Sequence, residues 1–118
     1  MTTISANLQA VHARIVAAAE KCGRNPDDIS LLAVSKTWPA ADVREAAAAG
    51  HHAFGENYVQ EGVGKALELA LLGLTWHFIG PLQSNKTREV AERFDWVQSL
   101  DREKIARRLS DQRPGDMV

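Results

Sequence analysis

What this sequence has too little of narrows its class first. It contains one cysteine, Cys22, which rules out an internal disulfide and a cysteine-rich zinc site. It has no basic excess: 14 Lys plus Arg stand against 15 Asp plus Glu. Nucleic acid and anionic membranes normally select a basic face, so neither is expected as a partner. No apolar run approaches the roughly 20 residues that cross a bilayer. The opening MTTISANLQAVHAR has no basic start followed by an apolar stretch, and no signal peptide is expected. There is no GxSxG nucleophile elbow, no Walker phosphate loop and no GxGxxG fingerprint. His12, His51 and His52 lack ligand spacing, so no metal site is expected. These absences leave a cytoplasmic globular domain as the simplest reading, and 118 residues suit a single core.

What is present is a rhythm. Leu8, Val11, Ile15, Ala18 and Cys22 recur in steps of three and four, which predicts a helix with these residues on one face. Gly23 ends it and Asn25-Pro26 turns the chain. LLAVS, residues 31–35, is short and mostly apolar, which predicts a strand buried on both faces. Pro39 suits the first turn of a helix running to Gly50. The pattern then repeats. HHAFG is followed by helical sequence from Asn57 to Leu72, and TWHFIG by a helix from Asn85 to Arg93. DWVQSL is followed by a helix capped by Asp101 and ending near Asp111. Strand centres fall near positions 33, 53, 77 and 97. This alternation predicts an α/β fold with parallel strands joined by helical crossovers. Four such units fit an open doubly wound sheet or about half of a TIM-type (β/α)8 barrel, which takes about 250 residues when complete. The closing RPGDMV reads as a loop entering a fifth strand, so residues 1–118 are expected to form one partial barrel domain.

Few residues stand where chemistry is done. Alternation puts Leu32, Val34 and Lys36 on one face, with Lys36 at the carboxyl end of its strand. Barrels and open α/β sheets both place active sites there. Burial favours a neutral amine, the form that attacks an aldehyde; the bland reading is a lysine marking the strand's exit into solvent. Asn57 follows Phe54-Gly55-Glu56 and reads either as a donor to a ligand oxygen or as a helix cap. Glu56 and Glu61 read as acid/base groups or as partners of a helix dipole. His77 shares a face with Ile79, opposite Trp76 and Phe78, and is either a ligand-facing histidine or a satisfied core one. Gly80-Pro81 makes a tight exit. Ser84 and Asn85 then open a helix beside Lys86 and Arg88, which reads as an anion site or as an ordinary capped surface helix.

Three strings carry more than these single positions do. LLAVSKTWP (31–39), FGENYVQE (54–61) and WHFIGPLQSNKTR (76–88) closely resemble the pyridoxal phosphate homeostasis proteins in content, order and spacing. The resemblance spans essentially the whole chain. It implies a fold type III barrel like the N-terminal domain of alanine racemase. It implies that Lys36 holds pyridoxal 5'-phosphate (PLP) as a Schiff base, with Asn57 and His77 beside the ring and Gly80 to Ser84 bordering the mouth. It also implies a role in vitamin B6 and amino-acid homeostasis without robust turnover.

The chain departs from that family in length, at about half the usual size. In barrels the main phosphate-binding loops follow strands seven and eight, so the chain alone is expected to bind PLP weakly or not at all. Two alternatives accompany this reading. One is an amino-acid racemase or decarboxylase of the same fold. The other is a noncatalytic half-barrel that self-associates through its open sheet edges.

Overall fold

Among the described residues four short strands and five α-helices alternate, and each strand lies parallel to its neighbour. The computed structural model describes residues 3–114; residues 115–118, the end of the RPGDMV segment expected to enter another strand, lie outside them. Helix α1 spans Thr3–Lys21. The units β1 (Ala33–Val34) with α2 (Ala40–Ala48) and β2 (Ala53–Glu56) with α3 (Val59–Glu68) follow. Then come β3 (Thr75–Phe78) with α4 (Thr87–Arg93), and β4 (Trp96–Val97) with α5 (Glu103–Gln112). The sheet order is β1-β2-β3-β4, the sequential arrangement of half a TIM-type barrel.

The register sorts the side chains onto two faces. Phe54 pairs with Trp76, and Glu56 pairs with Phe78, which pairs with Val97. This face is covered by the helices. Phe54, Trp76 and Phe78 join Val43, Val59, Leu69, Val90, Phe94 and Ile105 in the core. Val34, Gly55, His77 and Trp96 form one row on the other face, and no helix covers it. Val34 is therefore 50% exposed and Trp96 59% exposed.

That open face corrects the expectation that LLAVS is buried on both sides. Parallel strands are covered twice only where a second layer exists on each side, and here β1 is a two-residue edge strand. The first helix is also rotated relative to its expected stripe. Ile4 and Leu8 pack on the core and Ala19 is buried, whereas Val11, Ala18 and Cys22 are exposed. The main neighbours of α1 are α2 and the 3-10 turn Pro26–Asp28, not the strands. The last helix begins one residue late: Arg102, not Asp101, holds the N-cap position, without a side-chain cap.

Candidate functional site

The carboxyl ends of the four strands gather most of the expected residues. Lys36 is not within β1 but at the second position of a turn, Ser35–Trp38, closed by Trp38 N–H donating to the Ser35 carbonyl at 3.1 Å. Thr37, the third residue, has φ +66°, the conformation of a type II turn. A β-branched residue there stores about 1–3 kcal/mol of strain. The Lys36 side chain is exposed and makes no ion pair among the described residues. The expectation that Lys36 is buried is therefore not met in this chain.

His77 lies in the row of Gly55 and Trp96, and Asn57 follows the end of β2. His77 stacks on Trp96, with centroids 5.8 Å apart and planes at 7°. Its Nδ1 sits 2.9 Å from Gln98 Oε1. Leu32 and Ile79 close over Gly55, where an added Cβ would stand 3.0 Å from Ile79 Cδ1. Asn57 does not cap α3: that position belongs to Tyr58, with no side-chain cap bond. Instead Asn57 Oδ1 is buried with no hydrogen-bond partner among the described residues.

Gly80 has a steric reason. A Cβ there would lie 2.3 Å from the Asn57 carbonyl oxygen, so only glycine lets the exits of β2 and β3 touch. The Ser99 hydroxyl donates to the Gly80 carbonyl. Ser84 stands apart. It begins a 3-10 turn, Ser84–Lys86, ahead of the seven-residue α4, and its carbonyl accepts from the Thr87 hydroxyl at 3.0 Å. The expected helix opening at Ser84 and Asn85 is thus a tight turn, displaced from the N-terminus of α4. A cleft of about 460 Å³ lies between these exits, lined by Asn57, Tyr58, Gln60, Pro81, Gln83 and Lys86.

Behind Lys36, on the helix side, is a group of charges. Glu56 is fully buried. Its Oε2 lies 2.9 Å from Lys65 Nζ and accepts from the Ser35 hydroxyl. Lys65, also buried, reaches Glu61 Oε2 at 3.2 Å and donates to the Ser35 carbonyl at 2.6 Å. Glu61 Oε2 in turn accepts the Thr37 N–H at 2.7 Å. Neither glutamate faces the open side, so neither is placed as an acid/base group for a ligand there. Lys65 was not singled out by the sequence. Two signals point to it: Glu56 shares strand parity with buried Phe54 and so needs a cation, and Lys65 stands four residues after Glu61 on a helix. Among the described residues no helix is long and apolar enough to cross a membrane, and no cluster of His, Cys, Asp or Glu could hold a metal.

No family model matches the chain. It is 62% identical over 117 residues to the pyridoxal phosphate homeostasis protein of Pseudomonas aeruginosa, covering 99% of this chain and 51% of that protein. The Escherichia coli K12 protein of the same name is 58% identical over 120 residues, with 51% of it covered. Among solved structures, PipY of Synechococcus elongatus with PLP bound matches with a TM-score of 0.71 and 47% identity, over 86% of this chain and 47% of that one. A protein of unknown function from Bifidobacterium adolescentis matches with a TM-score of 0.82 and 32% identity, over 92% and 49% of the two chains. The chain is therefore similar, over nearly its full length, to the pyridoxal phosphate homeostasis proteins, and it spans about half the length of those it matches.

Proposed function

We propose that this chain carries the anchoring part of a cytoplasmic PLP-binding protein of vitamin B6 and amino-acid homeostasis, with Lys36 as the anchor. The observation that carries this reading is the placement of Lys36. It is exposed at the carboxyl end of β1, outside any ion pair among the described residues, on a turn held by Glu61 and Lys65. The residues suit the cofactor: a primary amine for the aldehyde, with Asn57 and the His77 imidazole for ring substituents. Gly80 and Ser84 border the mouth in this reading. PLP supplies an aldehyde that a lysine amine condenses with to give a Schiff base. The protein's part is to present the amine and hold the ligand noncovalently, and it needs no turnover of its own. Its role is to bind, buffer and release the cofactor.

Phosphate grip limits the isolated chain. Barrels commonly hold phosphate on loops after strands seven and eight, and four strands lie among the described residues. A Schiff base in water is readily hydrolysed, so the chain alone is expected to retain PLP weakly or not at all. Titrating stoichiometric PLP should give little absorption beyond that of free cofactor. A strong band at stoichiometric PLP that vanishes in Lys36→Ala overturns the weak-retention part.

A racemase or decarboxylase of this fold finds no support at Tyr58. Racemisation needs a second acid/base group across the cofactor. The chain's single tyrosine is exposed and lines the Asn57–Lys86 cleft behind the Gly80 exit. The open face does favour self-association of the isolated chain, because Val34, Trp96 and Leu100 are exposed beside two unpaired sheet edges.

A further inference from the structure

We propose that Glu61 is a positioning residue for Lys36, acting by fixing the orientation of the peptide between Lys36 and Thr37. This rests on the reading of Lys36 as the PLP anchor. In a β-turn the central peptide can face either way, and the two orientations give type I and type II turns. Type II requires positive φ at the third residue, which glycine tolerates and threonine resists. Thr37 nonetheless has φ +66°. Its own preference is for the other orientation, so something outside the turn must hold it.

Glu61 is that group. The N–H of the central peptide belongs to Thr37, and it donates to Glu61 Oε2 at 2.7 Å. The carbonyl of the same peptide belongs to Lys36 and accepts from the Thr37 hydroxyl at 2.6 Å. Flipping the peptide would turn its oxygen toward the Glu61 carboxylate, setting two acceptors against each other. The carboxylate is itself fixed by Lys65, whose Nζ lies 3.2 Å from Glu61, 2.9 Å from Glu56 and 2.6 Å from the Ser35 carbonyl. The same Ser35 carbonyl closes the turn by accepting from Trp38 N–H. The peptides on both sides of Lys36 are thus held from α3, on the covered side of the sheet. The Lys36 side chain is exposed and takes part in none of these contacts. A buried charge cluster is an expensive way to hold a surface turn, and its contacts converge on the residues flanking Lys36.

The test is reductive trapping with PLP and sodium borohydride, followed by peptide mapping. The Lys36 amine adds to the aldehyde carbon, the aldehyde oxygen leaves as water, and a C=N bond forms. Borohydride delivers hydride to that carbon, and water protonates the nitrogen, leaving a stable secondary amine. Labelling at Lys36 is expressed relative to Lys104, which serves as the surface reference. Glu61→Ala should lower that ratio about tenfold, the scale of losing one charge-assisted hydrogen bond, with a native circular dichroism spectrum. Glu61→Gln keeps an acceptor and should retain most of the labelling. Thr37→Gly added to Glu61→Ala should restore it, because glycine holds positive φ unaided. If Glu61→Ala does not fold, Glu61→Asp makes the same comparison by shortening the reach to Thr37. No preference for Lys36 in the unaltered chain overturns the anchor reading itself. A normal Lys36 ratio in folded Glu61→Ala, or no rescue by Thr37→Gly, overturns the positioning role alone.

Discussion

Lys65 and Glu56 show how much of this molecule depends on single residues. The pair is buried, 2.9 Å apart, and the second glutamate oxygen has no partner. Removing one member of a buried pair leaves a bare charge, which typically costs about 3–5 kcal/mol, whereas replacing both with apolar or neutral groups costs much less. Lys65→Met should therefore destabilise the chain by that amount in urea unfolding, and Glu56→Gln added to it should recover a large part. Equal losses in the single and double variants would show that the pair is not coupled. Lys36 was legible in the sequence as a lysine ending a strand, and the string LLAVSKTWP sharpened it. Its exposure was not legible, because burial at a strand's end depends on what covers the sheet. Lys65 was missed because a lysine on a helix ordinarily marks the solvent face, and only the parity of Glu56 argues otherwise.

At the scale of elements, the alternation of apolar runs with helical stretches located each strand and α-helix among the described residues, and the parallel order followed from it. Boundaries were less legible. Asn57 and Asp101 both looked like caps, yet Tyr58 and Arg102 hold those positions, since a capping residue type says nothing of where the chain becomes helical. The helix opening at Ser84 became a 3-10 turn for the same reason. Facial parity was read correctly on β3 and has a measurable consequence. Phe78 is fully buried against the helices, so Phe78→Ala should cost about 3–5 kcal/mol. Trp96 lies on the open face, and Trp96→Ala should cost under ~1 kcal/mol despite its size and its stacking on His77. Comparable losses at the two sites would mean that both faces of the sheet are covered.

The described residues form half of a closed architecture: four parallel strands, helices on one side, and a row of Val34, Gly55, His77 and Trp96 on the other, exposed at Val34 and Trp96. Such a face, with unpaired strands at both edges, favours association. Light scattering of the purified chain at micromolar concentration should report a dimer or larger species, and a stable monomer across that range would count against it. The central claim, that Lys36 is the PLP anchor, is tested most directly by intact mass after borohydride reduction with excess PLP. Trapping catches even a short-lived Schiff base, so weak retention does not obscure the answer. The account predicts one predominant phosphopyridoxyl adduct on the unaltered chain and its loss in Lys36→Ala; an adduct that persists undiminished in Lys36→Ala would contradict it.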